Sequence, residues 1–346
     1  MLHVGLDLSR KRVEFGALAE DGRPLEVGSA PADADGLRWL CRRLAGYGEP
    51  VRAVIEAMNG ARFVHDGLEQ LGWEVEIADA VRAKGLAPLA CKTDRIDAFV
   101  LAELSRRDLV PAIWLPSAEV RRERERARWR LQLVRQRTRL KNRVHSILIA
   151  WGKPCPAADL FGPGGRELLA RLELPEPWRS HLEAAVRLID ELDLEIAAIE
   201  RELRRSGKEH PCVSLLTSVP GISWVLGYTI AAEIGDISRF PAPAKLASYS
   251  GLCPRVYQSG DSDRRGPLSK RGPRYLRWAL VEAAVTAARH PLYRQRYERT
   301  KRRLGKQRGP KVAQVELARR LSHAIWHMLT RGESFAPKGA STSLAA

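Results

Sequence analysis

A mixed α/β unit followed by a long helical remainder is the fold class this sequence predicts, on three observations. Residues 2–80 alternate short strand-like segments with amphipathic helical ones. Residues 117–150 and 181–205 read as two long helices. From about 208 to 334 the chain is a series of mainly helical segments punctuated by Pro and Gly.

In the first part, LHVGLDL (2–8) alternates and reads as a strand, and RVEFGALAE (12–20) as a second. Asp21-Gly22 supplies a turn, and RPLEVGSA returns as a third strand. ADGLRWLCRRLAG (34–46) has helical spacing, with Leu37, Leu40, Cys41 and Leu44 on one face. VRAVIEA (51–57) is a short buried strand, ARFVHDGLEQLG (61–72) a helix ended by Gly72, and EVEIADA (74–80) another strand. A helix over 94–107 follows. Three strands joined by hairpin turns, then helix, strand, helix, strand, helix, fit a ribonuclease-H-like sheet better than a doubly wound dinucleotide fold. No GxGxxG follows the first strand. In such a sheet the first and fourth strands lie side by side at the centre.

Further on, 181–205 carries apolar positions near a heptad spacing, so the two long helices are expected to pair as an antiparallel coiled coil. GKP, GPGG and PEP make 152–178 a loop-rich connection. Pro220-Gly221 breaks two apolar helical stretches within 215–235 and gives a helix-hairpin-helix-like segment whose turn offers amides to a phosphate. The expected domains are 1–112, 113–207 and 208–334, with a disordered tail over 335–346.

The charge balance points to the partner. Among 346 residues there are 58 Lys+Arg against 41 Asp+Glu, a formal net charge of +17. Such a surplus favours a polyanion, because each neutralised phosphate releases condensed counterions. The basic residues also cluster: Arg121, Arg122, Arg124, Arg126, Arg128, Arg130, Arg135, Arg137, Arg139, Lys141 and Arg143 crowd residues 121–143 against only Glu123 and Glu125. The five cysteines, Cys41, Cys91, Cys155, Cys212 and Cys253, form no CxxC pair, which argues against a zinc ribbon or a disulfide framework. Neither a signal-peptide pattern nor an 18-residue apolar run occurs, so a cytoplasmic protein without a membrane span is expected.

Four acids stand out in the first part. Asp7 sits within an apolar strand, and alternation turns it away from Leu6 and Leu8. Glu56 ends the apolar run AVIEA. Asp94 and Asp97, in CKTDRIDA, are three apart and share one helical face. Taken singly, each has an ordinary reading: Asp94 as a charge favoured by the helix dipole, Asp97 as a partner for a nearby Arg, Glu56 as a strand end. Taken together, with the first and fourth strands adjacent, the four can converge. Hard oxygen donors then suit Mg²⁺ or Mn²⁺ rather than zinc. In VYQSGDSD (256–263), Ser259 precedes Gly260 in a short loop, with Arg264, Arg265, Lys270, Arg271, Arg274 and Arg277 following. A serine beside phosphate-binding arginines can attack a phosphodiester, but SG alone is a weak motif and Ser250, Ser262 and Ser269 compete. His323 and His327 have zinc-site spacing, yet Ala324 stands where a metalloprotease needs Glu. No GxxxxGK[ST] loop is present to support ATP dependence.

GLDLS with Asp7, VIEAMNG with Glu56, and KTDRID with Asp94 and Asp97 resemble the acidic tetrad of the IS110-type transposases. LLTSVPGI, FPAPAKLASYSGLCPRVYQSG and SKRGPRYLRWALVEAA resemble that family's C-terminal transposase domain. The resemblance implies a RuvC-like N-terminal domain in which Asp7, Glu56, Asp94 and Asp97 bind Mg²⁺ or Mn²⁺. It implies Ser259 as the nucleophile that becomes joined to DNA. It implies donor and target DNA and a structured noncoding guide RNA as partners. It further implies a homo-oligomer, a dimer that becomes a tetramer in the synaptic complex, with the serine of one protomer completing the acidic site of another. The basic positions Arg121, Arg122, Arg128, Arg135, Arg139, Lys141 and Arg143, with those after Ser259, would then meet nucleic acid. Two other readings stay open. One is a junction-type nuclease that uses the acids and water. The other is a non-catalytic nucleic-acid-binding protein.

Overall fold

The computed structural model describes residues 1–86, 93–153, 159–259 and 262–336, with the side chains of Asp94 and Arg265 outside the description. Contacts divide the chain into two compact units, Met1–Leu115 and Pro116–Ala346.

The first unit runs β1 (Leu2–Leu8), β2 (Arg12–Leu18), β3 (Pro24–Pro31), α1 (Ala34–Ala45), β4 (Val51–Glu56), α2 (Ala61–Gln70), β5 (Glu74–Ala78), α3 (Ala80–Leu86) and α4 (Asp94–Arg106). The five strands form a mixed sheet in the order β3-β2-β1-β4-β5. β1 is antiparallel to β2 and parallel to β4, so the first and fourth strands are neighbours as the sequence predicts. Alternation sorts β1 cleanly. Leu2, Val4, Leu6 and Leu8 join Val13, Phe15 and Ile55 in one core with Leu37, Leu40 and Leu44 of α1 and Val64 and Leu68 of α2. The other face is covered by α3 and α4, where Val54 packs with Ala83, Leu101 and Leu104. α3 was not expected. Its sequence, AVRAKGL, buries only Ala83 and shows no apolar stripe to read.

The second unit opens with α5 (Ala118–Ala150), capped by the Ser117 hydroxyl, which accepts from the Val120 amide at 3.3 Å. It continues with α6 (Pro163–Arg171) and α7 (Trp178–Glu209). α5 and α7 pack antiparallel: Glu123 faces His210 (3.5 Å), Arg126 faces Glu202 (3.0 Å), Arg137 pairs with Asp193, and Val144 shares a core with Leu182 and Ala185. Within the connection expected to be loop, α6 forms because Pro163 occupies its first turn, where a missing N–H is harmless, and Leu169 is buried. Then come α8 (Pro211–Thr217), α9 (Trp224–Ile234), α10 (Pro243–Tyr249), β6 (Pro254–Ser259), β7 (Ser262–Leu268), α11 (Arg274–Ala287) and α12 (Pro291–Arg331). α9, α11 and α12 build the main core around Ile230, Leu280, Leu317 and Leu321, and Ala127 and Leu203 of the two long helices join it. Gly221 takes φ 93° in the turn before α9, and a Cβ there would collide with the Ala283 carbonyl of α11. This glycine therefore serves close packing. α12 reverses at Gly305 (φ 75°), so its two legs lie side by side. Arg296 Nε and Thr300 Oγ1 of the first leg donate to Glu316 of the second at 2.9 and 3.0 Å. Among the described residues no helix is long and apolar enough to cross a membrane.

Candidate active site

The carboxylates of the first unit are placed by how α4 crosses β1. Ser105 Oγ of α4 lies 3.0 Å from His3 Nδ1 near the start of β1. Ala98 and Ala102 lie over Gly5, so closely that a Cβ at Gly5 would overlap the Ala98 carbonyl oxygen. Helix number therefore falls as strand number rises, and the first turn of α4 arrives beside Asp7. Thr93 caps that turn, its hydroxyl accepting from the Ile96 amide at 3.3 Å. The capping role is thus filled without Asp94 or Asp97.

Asp7 follows Gly5 by two residues and faces α4, half-buried. Gly5 is in register with Val54, so Glu56, two residues beyond Val54, emerges on the same face at the same end of the sheet. Its side chain is 27% exposed, and Lys84 Nζ of α3 stands 3.8 Å from its Oε1. Asp97 is half-buried on the first turn of α4. Asp94 begins that helix, and its carboxylate lies outside the described side chains. Among the described residues, no three His, Cys, Asp or Glu side chains are drawn together closely enough to hold a metal.

Two residues of this face were missed by sequence reading. Glu14 is directly opposite Asp7 in the β1–β2 ladder and is half-buried. Like charges directly across a ladder are destabilising, so this pair favours a nearby cation. The alternation in RVEFGALAE does show Glu14 opposed to Val13 and Phe15, but only the register places it against Asp7. Lys84 carried no signal, because α3 was not expected.

Ser259 belongs to the second unit. It ends β6 and pairs with Ser262, the first residue of β7, so the expected loop is instead a hairpin that carries the serine at its tip. Residues 260 and 261 lie outside the described residues. Tyr257 pairs with Arg264, so both share the face of Ser259, and Tyr257 is 61% exposed. The competing serines fare differently. Ser250 is fully buried with its hydroxyl donating to the Ala247 carbonyl at 2.8 Å, whereas Ser262 is exposed beside Ser259. Arg264, Lys270, Arg271 and Arg274 are exposed. Arg277 instead points inward. It donates to the Ser250 carbonyl at 3.1 Å, and burial draws its guanidinium below the ordinary value.

The basic helix α5 divides in the same way. Arg122, Arg135, Arg139 and Arg143 are exposed. Lys141 lies over the Phe161 ring at 4.7 Å, and Arg121 is half-buried. Arg128 has a different task from the one sequence reading gave it. It grips Glu233 of α9 with two hydrogen bonds, at 2.6 and 2.9 Å, and Glu233 is completely buried. Arg124 beside it donates to the carbonyls of Ala232 and Glu233, each at 2.8 Å. These two arginines satisfy the C-terminal end of α9.

Two family models match the chain. One, of the IS110-type DEDD transposase domain and described as "Transposase", covers residues 4–150 and hence the four acids. The other, described as "Transposase IS116/IS110/IS902 family", covers residues 213–298 and hence Ser259. The chain belongs to the IS110/IS116/IS902 transposase family. This IS110-family transposase is 27% identical over 298 residues to a protein of Pseudomonas aeruginosa named "Probable family 20 transposase", a match covering 83% of this chain and 86% of that one. It is 25% identical to the transposase for insertion sequence element IS1328 of Yersinia enterocolitica, over 83% of this chain and 86% of the relative. It is 26% identical to the transposase for insertion sequence element IS1111A of Coxiella burnetii, over 82% of this chain and 78% of the relative.

Proposed function

We propose that this insertion-sequence transposase cuts and rejoins DNA through a serine–DNA bond, with a RuvC-like, ribonuclease-H-type first domain supplying the acids and the segment after residue 208 supplying the serine. The observation that carries the reading is the emergence of Asp7 and Glu56 from adjacent parallel strands on the face crossed by the first turn of α4, where Asp94 and Asp97 sit. The donor set is all carboxylate, which fits Mg²⁺ or Mn²⁺. A divalent ion bound there supplies charge for the phosphate and for the departing oxygen. Asp7, Glu56, Asp94 and Asp97 are the residues that would hold such an ion, and Glu56 would then have to exchange its contact with Lys84 for it.

Ser259 Oγ attacks phosphorus and gives its proton to a neighbouring base or water. The Oγ–P bond forms, and the bond from phosphorus to the departing sugar oxygen breaks, that oxygen taking a proton. A sugar hydroxyl from another strand then reverses the step and frees the serine, so no energy source is needed. Exposure of the hairpin tip supports this role, because a nucleophile that must meet a duplex cannot be buried. A structured noncoding RNA chooses donor and target, and a second protomer brings its serine to the acids of the first. Both belong to the family reading, and the +17 net charge agrees with two polyanionic partners.

Strand exchange between two duplexes carrying element ends, assayed with the guide RNA present, should stop in EDTA and return with excess Mg²⁺, while nucleic-acid binding persists in both conditions. Exchange that continues in EDTA would remove the metal from the account.

A further inference from the structure

We infer that the reversal in α12 is a separate duplex-DNA contact, a phosphate clamp lying outside both family-model matches, which end at residues 150 and 298. Residues 299–311, RTKRRLGKQRGPK, contain seven Lys or Arg and no Asp or Glu. Every residue from 302 to 308 is exposed, as is Lys311. Among the described residues, Arg303, Lys306, Arg308 and Lys311 have no protein partner, and Arg302 reaches only the Glu298 carbonyl, at 3.4 Å. Five cations are thus concentrated at one turn with no acid to neutralise them.

The turn is also built rather than loose. Gly305 takes a left-handed φ that permits the reversal. Gly309 packs so closely on the Lys301 carbonyl that a Cβ would collide with it. Behind the tip, Glu316 ties the legs together through Arg296 and Thr300. A rigid turn presents its charges without the ordering cost of a tail. Such a projecting corner suits the wide major groove of B-form DNA, with phosphates on both sides, whereas the deep, narrow major groove of A-form RNA does not admit it. The inference rests on the reading of the chain as one that acts on DNA.

The test compares the full chain with a variant carrying Arg302→Gln, Arg303→Gln, Lys306→Gln, Arg308→Gln and Lys311→Gln. A charge-retaining variant carries Arg302→Lys, Arg303→Lys, Lys306→Arg, Arg308→Lys and Lys311→Arg. Binding to a 30-bp DNA duplex and to an RNA hairpin of equal length is measured across salt concentrations, with circular dichroism to confirm unchanged helix content. Loss of five phosphate contacts should lower the steepness of log K against log[salt] for the duplex by about 4.5, and the affinity by at least about a hundredfold at 0.1 M salt. The charge-retaining variant should match the parent. Equal duplex binding by parent and Gln variant overturns the inference and leaves the DNA reading intact. So does a loss confined to the RNA hairpin. Failure of the parent itself to bind any duplex overturns both.

Discussion

Asp7→Asn should reduce DNA cleavage and strand exchange by at least about a thousandfold, the equivalent of roughly 4 kcal/mol of lost charge stabilisation at 1.36 kcal/mol per decade. The same substitution should leave the fold intact. Asn has the shape of Asp, and Asp7 lies on the α4 face of β1 at a half-buried position rather than in the apolar core. It also stands directly opposite Glu14, so neutralising it removes a cross-strand repulsion. The thermal midpoint should therefore not fall by more than about 2 °C, less than the shift produced by 1 kcal/mol in a domain of this size. Loss of activity with an unchanged midpoint identifies Asp7 as a chemical residue. Retained exchange in the Asn variant would take it out of the site.

Arg128→Ala should have the largest effect on stability, about 3–5 kcal/mol, because it leaves the carboxylate of Glu233 buried without its bidentate partner. Glu233 sits in α9, which is otherwise buried and apolar from Gly227 to Ile234 apart from Thr229. Glu233 has no exposed surface of its own, whereas the Arg128 side chain is 35% exposed, so the guanidinium is what links the buried carboxylate to solvent. The double substitution Arg128→Met with Glu233→Leu should recover most of the loss, since a buried pair replaced by apolar groups of similar volume is often neutral. Urea unfolding of the full chain reads both. A loss below about 1 kcal/mol in Arg128→Ala would mean that the pair does not hold α5 against α9.

Much of the first unit was legible in the sequence because its strands bury one face. The alternation in LHVGLDL set Asp7 against Leu6 and Leu8, and the ladder puts them on opposite faces. The adjacency of β1 and β4 followed from the order of elements. What the sequence did not carry was register. Glu14 becomes part of the acidic face only once it is paired with Asp7. The hairpin of β6 and β7 looks like loop in the sequence because it is exposed along β6, so no apolar alternation marks it. Gly260-Asp261 between its arms was the available turn signal. α6 was hidden behind Pro163, Gly164 and Gly165, read as breakers although proline is at home in a first helical turn. Among the arginines of α5, composition alone gave each the same weight. Only the fold separates Arg128, which is held by a residue 105 positions away, from Arg122, Arg139 and Arg143, which stay exposed.

In the proposed reaction, cleavage passes through a bond between Ser259 and DNA. Labelled duplex carrying an element end is incubated with the full chain, guide RNA and Mg²⁺, quenched in denaturant, and separated on a denaturing gel. A labelled band is expected at the mass of protein plus one DNA strand. Peptide mapping should place the nucleotide on Ser259, and the band should be absent with Ser259→Ala. Cleaved DNA with free ends and no protein-bound label, at equal rates in the parent and in Ser259→Ala, would contradict it and make water the nucleophile.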